Sequence, residues 1–154
     1  MNTENHPSAK IILRRPQDNQ ILLIGRTIDD QIGLEPVGGR IETDFKNKLS
    51  ETFEDCVLRE VNEELGIKAT ITHYIGSYYF FWSIKENACS NCVLFLGNII
   101  SDHEPFPHHS DGCGLSISPV WVTLNEIKAR NLPIRSYHIG LEDLLVKAAN
   151  LINT

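Results

Sequence analysis

Three glutamates, Glu60, Glu63 and Glu64, lie within five residues of one another. Residues three and four apart share one face of a helix, so Glu60 would lie beside both of the others. Carboxylates this close raise one another's pKa values, and a hard divalent cation such as Mg²⁺ removes that penalty by taking their oxygens as ligands. We call these residues the carboxylate face. An exposed acidic helix face with no ligand has the same composition, so the surrounding residues must distinguish the two interpretations.

The segment that carries the carboxylate face has the pattern of an amphipathic helix over residues 50–65. Its apolar positions recur every fourth residue, at Phe53, Val57, Val61 and Leu65. Ser50 is the predicted N-cap, and Gly66 stands where a left-handed C-cap belongs. Two turns separate Glu51 from Arg59, which places them on one side of the helix. Arg59 also precedes Glu63 by four residues, a salt-bridge spacing.

Residues 38–67 resemble the signature of the Nudix hydrolases, G-x5-E-x7-R-E-U-x-E-E-x-G-U, where U is a bulky aliphatic residue. Glu51 precedes Arg59 by the required gap, and the segment from Arg59 to Ile67 matches every remaining defined position. The first spacing departs from the signature, because Phe45 stands where a glutamate is expected after Gly39. About six extra residues therefore precede Glu51, within residues 43–50. A lengthened surface loop costs little closure entropy and leaves the helix intact, but it could reshape the entrance to the site.

The resemblance implies a role for each matching residue. The carboxylate face would coordinate Mg²⁺ or Mn²⁺, with the backbone carbonyl of Gly38 as a further ligand. Glu51 and Arg59 would orient these ligands. The reaction would be metal-assisted attack of water on phosphorus in a nucleoside diphosphate linked to another group, either a nucleoside triphosphate or a nucleotide-sugar-like compound. A non-catalytic nucleotide-sensing module on the same fold is the alternative, since the lengthened loop could block the entrance.

The general base of such a reaction has several candidates at this stage. Glu60 and Glu63 could serve from within the helix. In related enzymes a carboxylate on a later loop can act instead, which points here to Glu104 or Asp111. Either of these two could equally be a solvated loop acid.

Substrate contacts are expected outside the signature. Guanidinium groups bind phosphate bidentately, so Arg14, Arg26 and Arg40 are candidates, Arg40 above all because it adjoins the glycine pair. The aromatic residues Tyr78, Phe80 and Trp82 alternate along one predicted strand, where they could stack on a base or pack in the core.

Length and composition indicate an ordinary globular protein. The 154 residues suit one domain spanning residues 1–154, with 42% apolar and 22% charged residues. The net charge of −6 argues against binding of duplex nucleic acid, which needs clustered Lys and Arg. There is no apolar run of the ~18 residues that would span a membrane, and the first ten residues lack a signal-peptide pattern. We therefore expect a cytoplasmic protein with a small nucleotide-like substrate; a homodimer stays open.

Apolar and aromatic runs predict the elements around the helix. Predicted strands cover residues 8–15 and 20–26, which form a hairpin, then 34–37, 69–84, 92–100 and 119–122. Predicted helices cover 124–130, with Thr123 or Asn125 as N-cap, and a C-terminal segment marked by Leu141, Leu144, Leu145, Ala148 and Ile152. Because strands and helices do not alternate regularly, the fold class is a mixed α/β sandwich. The resemblance implies the Nudix α/β/α arrangement with a mixed sheet.

Two other clusters have weaker metal-site spacing. Cys89 and Cys92 are spaced as a zinc-ligand pair, but a zinc ribbon needs two such pairs, and two reduced thiols flanking a hairpin turn are the favoured interpretation. A polar loop follows, which matches no standard metal site and is predicted to be flexible; its members are His103, His108, His109, Asp111 and Cys113.

Overall fold

The computed structural model describes residues 4–28, 30–44, 46, 49–83, 85–106 and 117–152. His108, His109, Asp111 and Cys113 lie outside the described residues. The elements in chain order are β1 (Glu4–Arg14), β2 (Ile21–Ile28), β3 (Gln31–Glu35), β4 (Val37–Arg40), β5 (Thr43–Asp44), β6 (Leu49–Ser50), α1 (Phe53–Leu65), β7 (Ala69–Ser83), β8 (Ala88–Ile99), β9 (Ile117–Val122), α2 (Leu124–Lys128), β10 (His138–Ile139) and α3 (Leu141–Leu151).

The main sheet is mixed and divides at strand β1. Its strand order is β10-β7-β8-β1-β2-β3, with β4 also pairing with β1 and β9 with β2. Along one edge β1 runs parallel to β8. Its other edge is shared, because residues 8–11 pair with β4 and residues 13–14 pair with β2. The glycine pair of β4 therefore lies against the middle of β1, where the sheet splits.

Alternation along β1 fills two apolar layers, one on each face of the sheet. Ile11 and Leu13 pack with Val57 and Val61 of α1 in one layer. Ile12 packs in the other, which also contains buried residues of α2 and α3. The molecule is thus a mixed α/β structure with helices on both faces of the sheet, as the sequence predicts. No helix among the described residues is long and apolar enough to cross a membrane.

Helix α1 begins later than its sequence pattern predicts. Its N-cap is Thr52, whose hydroxyl accepts a hydrogen bond from the backbone N–H of Asp55 at 3.0 Å. The predicted N-cap, Ser50, was wrong because Ser50 is committed to strand β6, where it pairs with Thr43. The C-terminal prediction is confirmed, since Gly66 has a left-handed backbone with φ of 64°.

At the two ends of the lengthened segment, residues 43–44 and 49–50 pair as the short antiparallel strands β5 and β6. A backbone hydrogen bond of 3.1 Å from the N–H of Glu51 to the carbonyl of Glu42 joins the residues that flank this pair. The two ends of the segment therefore lie side by side just before the helix, and the helix itself is uninterrupted.

Other boundaries also differ from expectation. The segment 34–37 is not one strand, because Pro36, which has no N–H to donate, separates β3 from β4 and the two pair with different partners. The aromatic strand and its partner form the predicted hairpin. Cys89 and Cys92 do not flank its turn but lie inside β8, opposite Phe81 and Tyr78. For α2 the N-cap is Thr123 with a complete capping box.

Candidate active site

The glycine pair brings the backbone of β4 against both β1 and α1. A Cβ at Gly38, whose φ is 151°, would lie 2.0 Å from the carbonyl oxygen of Ala9. A Cβ at Gly39 would lie 2.5 Å from Oε1 of Glu60. Cys56 also joins the helix to β4, because its thiol donates to the carbonyl of Arg40 at 3.4 Å. Gly38 is required by its positive φ and by the backbone of Ala9, and the close approach at Gly39 places the strand and the carboxylate face in one region.

Glu51 and Arg59 form the predicted supporting pair. Arg59 donates from Nε to Oε2 of Glu51 at 2.6 Å and from Nη2 to Oε1 at 2.9 Å. The backbone N–H of Glu42 also donates to Glu51, at 3.0 Å. The Arg59 hydrogen bond lowers the pKa of Glu51 to about 2. Glu51 therefore binds both the Arg59 guanidinium and the backbone of Glu42, which precedes strand β5.

Arg59 also contacts the carboxylate face directly. Its Nη1 donates to Oε1 of Glu60 and to Oε2 of Glu63, both at 3.0 Å. The predicted four-residue salt bridge is thus confirmed. A single guanidinium holds Glu51 on one side and two residues of the carboxylate face on the other.

The third member of the face, Glu64, is bound differently. Its Oε2 is buried and has no hydrogen-bond partner among the described residues. Burial raises the pKa of Glu64 to about 7, and burial also raises the pKa of Glu60, whose side chain is 15% exposed. Buried acids of this kind are costly unless a cation or a proton compensates them.

The donor atoms of the site are of the kind that a hard divalent cation binds. Oxygen ligands, a buried carboxylate without a partner and a nearby backbone carbonyl are what such an ion takes. Within the part of the chain that the structure describes, no three acidic, histidine or cysteine side chains converge closely enough to hold a metal ion. The metal role of Gly38, Glu60, Glu63 and Glu64 therefore stays a prediction.

Sequence reasoning missed three buried polar residues beside the site. The ammonium of Lys10 donates to the carbonyl of Gly38 at 3.4 Å. Glu35 forms an ion pair with Arg26, and its Oε2 lies 3.5 Å from Nε2 of His138. Burial would raise the pKa of Glu35, but the charges of Lys10 and Arg26 outweigh it and lower the pKa. A signal for Lys10 existed, since a lysine interrupts the apolar run of residues 9–13.

The three candidate arginines are in different places. Arg26 is bound to buried Glu35, and its positive charge also acts to lower the pKa of Glu64. Arg40 is stacked over the ring of Trp82, 5.3 Å from its centroid. Arg14 donates to Asn19 at 2.7 Å and to Asn98 at 3.1 Å, near the opposite end of β1. Arg26 and Arg40 remain candidates for phosphate contacts by position, whereas Arg14 is engaged elsewhere.

The aromatic strand divides between core and surface. Tyr78 is 2% exposed and belongs to the core, so its ring offers no face to a base, and core packing is the correct interpretation for it. Phe80 is stacked on His138, with ring centroids 4.7 Å apart. Trp82 is 36% exposed and lies near His6 and Arg40. Of the three, Trp82 retains the most accessible ring.

The loop after β8 is attached to the C-terminal end of α1. His103 Nε2 lies 2.7 Å from the carbonyl oxygen of Gly66, and the N–H of Phe106 donates to Leu65 at 3.1 Å. Glu104 is 3.6 Å from Arg15 and 77% exposed. This candidate base therefore lies beside Arg15, the residue that follows β1. The ring of His103 is thus hydrogen-bonded to α1, and the predicted flexibility of this polar loop stays a prediction.

A family model described as the NUDIX domain matches residues 4–140. The chain belongs to the NUDIX family. The CTP pyrophosphohydrolase of Escherichia coli (strain K12) is 41% identical over 64 residues, which cover 40% of this chain and 43% of that protein. The match thus spans less than half the length of this curated relative. The membership of the Nudix family that residues 38–67 predict is confirmed.

Solved structures place this Nudix protein in the same fold. The MutT protein from Methanosarcina mazei Go1 superposes with a TM-score of 0.68 at 19% identity, over 98% of this chain and 97% of that one. A NUDIX hydrolase from Nitrosomonas europaea gives 0.67 at 19% identity, over 96% and 90%. At these identities the likeness concerns fold alone, and it confirms the mixed α/β architecture. Together with the family match, it assigns this protein to the NUDIX family and its fold.

Proposed function

We propose that this Nudix hydrolase is a Mg²⁺- or Mn²⁺-dependent pyrophosphohydrolase that cleaves a phosphoanhydride in a nucleoside triphosphate or a nucleotide-sugar-like diphosphate. The observation that carries the proposal is Oε2 of Glu64, which is buried and has no hydrogen-bond partner among the described residues. Two further acids lie on the same helix face. The first substrate to test is CTP, because the E. coli relative is a CTP pyrophosphohydrolase.

The proposed ligands are the carbonyl of Gly38 and the carboxylates of Glu60, Glu63 and Glu64. A bound divalent ion would lower the pKa of a water molecule and would offset negative charge on the phosphate oxygens. Arg59 orients Glu60 and Glu63 through the two 3.0 Å hydrogen bonds. This arrangement supports hydrolysis because the hard oxygen donors of the carboxylate face lie beside the glycine pair of β4.

The proposed general base is Glu60. Its carboxylate accepts a hydrogen bond from Arg59 at 3.0 Å, which holds it in one position on the carboxylate face. Glu63, with a side chain that is 45% exposed, is a second candidate on the helix, and Glu104 and Asp111 are the candidates on the later loop. Arg26 and Arg40 are proposed phosphate contacts, and Trp82 a proposed stacking surface for the base.

The test is a panel of nucleoside triphosphates and nucleotide sugars incubated with purified protein and Mg²⁺. We expect release of pyrophosphate from the triphosphates, and Glu64→Gln should lower kcat/KM by at least about a hundredfold, because it removes an anionic ligand. Glu54→Gln, an exposed change on the same helix, is the matched control and should retain activity. Turnover that survives chelation of metal, or full activity in a Glu63→Gln, Glu64→Gln double variant, would contradict the proposal.

A further inference from the structure

The oxygens proposed as metal ligands are held by cations of the protein itself. Nζ of Lys10 donates to the carbonyl of Gly38 at 3.4 Å. Arg59 Nη1 donates to Oε1 of Glu60 and to Oε2 of Glu63. Glu64 Oε2 is the exception, because no described residue bonds to it. A divalent ion entering this site would compete with the positive charges of Lys10 and Arg59, and the charge of Arg26 also acts on Glu64.

Arg59 and Lys10 differ in how their charges are paired. Arg59 has Glu51 as a dedicated partner through two short hydrogen bonds. Lys10 has no such carboxylate partner within hydrogen-bond distance among the described residues; its hydrogen bond is to the neutral carbonyl of Gly38. Its charge acts instead on several acids around it, namely Glu35, Glu60 and Glu64. Lys10 therefore balances the site as a whole.

The position of Lys10 is costly for a lysine. The residue is 8% exposed and stands in β1 between Ala9 and Ile11, both 0% exposed. Burying an ammonium group is unfavourable unless charges or hydrogen bonds compensate it. In the register of β1 and β4, Lys10 lies opposite Gly38, so the buried charge stands beside a proposed metal ligand.

We propose that Lys10 is a positioning residue that acts as the resident counter-ion of the site: it holds the Gly38 carbonyl and balances the nearby carboxylates in the metal-free protein, and it opposes binding of a free divalent ion. This inference rests on the proposed function. Its consequence is that the metal ion binds the free protein weakly and occupies the site mainly together with a nucleotide, whose phosphates add the negative charge that Lys10 offsets.

The physical basis is charge repulsion in a partly desolvated region. A unit positive charge within several ångströms of a divalent ion weakens the binding of that ion by about tenfold or more at the effective dielectric of a protein site. The hydrogen bond to Gly38 acts in the other direction, since it orients a proposed ligand. The charge and the hydrogen bond can be separated by substitution.

The experiment is calorimetric titration of Mn²⁺ into metal-free protein without nucleotide, at constant ionic strength. Lys10→Met removes both the charge and the hydrogen bond, while Lys10→Gln removes the charge but keeps an N–H donor. Lys128→Met, which removes an exposed charge on α2, is the control. We expect both Lys10 variants to bind Mn²⁺ about tenfold more tightly than the natural protein, and the control to stay within about twofold.

Thermal melting provides a second readout. The metal-free Lys10 variants should melt below the natural protein because their carboxylates lack a counter-ion, and saturating Mn²⁺ should raise their melting temperature by more than it raises that of the natural protein. If Lys10→Met does not fold, Lys10→Gln, the milder change, carries the same test.

Several results would overturn the inference. Unchanged Mn²⁺ affinity in both Lys10 variants would show that the charge does not oppose the metal ion. Weaker binding by Lys10→Met with unchanged binding by Lys10→Gln would mean that only the hydrogen bond to Gly38 matters. In both cases the natural protein still binds Mn²⁺ and the proposed function stands. Failure of every protein to bind Mn²⁺, with and without nucleotide, would instead remove the metal-dependent function and this inference together.

Discussion

The side of α1 that carries Arg59 is held by ion pairs, whereas its C-terminal end is held by hydrogen bonds to backbone carbonyls. On the first side Arg59 binds Glu51, Glu60 and Glu63. At the other end the N–H of Gly66 donates to Asn62 at 2.9 Å, and the loop after β8 adds the bonds of His103 and Phe106. Under the proposed function a metal ion would replace the ion pairs to Glu60 and Glu63, while the backbone bonds would keep the helix in place.

The difference predicts that changes on the charged side alter activity more than stability, and that changes at the other end do the reverse. It also predicts that pH and salt act mainly on the charged side, because ion pairs depend on ionisation and are screened by salt.

The largest expected effect follows from Gly39→Ala. The new methyl group would lie 2.5 Å from Oε1 of Glu60, which is the far end of a flexible side chain and can move aside. Activity should fall about a hundredfold because a proposed ligand is displaced, while the free energy of unfolding changes by only about 1 kcal/mol. Steady-state kinetics and denaturant unfolding measure the two. A loss of stability that accounts for all the lost activity would contradict the comparison.

A smaller effect is expected from Glu51→Gln, which leaves Arg59 without its main ionic partner. The guanidinium then orients Glu60 and Glu63 less well, and kcat should fall about tenfold, in the range for groups that orient metal ligands. Asp55→Asn, an exposed change in the first turn of the same helix, is the control. If Glu51→Gln had full activity, Arg59 would not need Glu51 for its orientation.

The same pair predicts a pH dependence of stability. The folded-state pKa of Glu51 is about 2, below its ordinary value of 4.5, because of the hydrogen bond from Arg59. The unfolded chain therefore binds more protons in this interval, so the contribution is fully present above pH 4.5 and is lost as the pH falls toward 2. Unfolding free energies of the natural protein and Glu51→Gln should converge over that interval. Parallel curves would exclude this role of the pair.

The smallest effect is expected from His103→Ala at the C-terminal end of α1. Removing its hydrogen bond to Gly66, which is 2.7 Å long, should cost about 1 kcal/mol of unfolding free energy. Activity in the native state should stay within about twofold, because the carboxylate face is not touched. A tenfold loss of kcat with unchanged stability would place His103 with the catalytic residues instead.

Features set by neighbours in sequence could be predicted well. The period of Phe53, Val57, Val61 and Leu65 identifies α1, and the left-handed cap follows from Gly66. Both depend on helix geometry, which repeats every 3.6 residues whatever surrounds it. The N-cap was misplaced by two residues because Ser50 and Thr52 are both good caps, and only pairing of Ser50 with Thr43 distinguishes them.

Features set by distant residues could not be predicted in the same way. Lys10 and Gly38 are 28 residues apart, and Glu35 and His138 are brought together by separate strands. Their contacts depend on the register of β1 with β4 and on where the sheet splits. Strand pairing depends on the hydrophobic pattern of two segments at once, so one segment does not specify its partner.

By itself, the sequence determined the family, the helix and the order of the acidic residues on its face, because signature spacing and helical period are local properties. The tertiary structure alone decided what those acids touch. It placed Arg59 between Glu51 and the carboxylate face, and it left Oε2 of Glu64 buried without a partner among the described residues. It also set Lys10 against Gly38. Burial and charge balance arise only when strands distant in sequence pack together, and they set the pKa values of the acids that we propose as metal ligands.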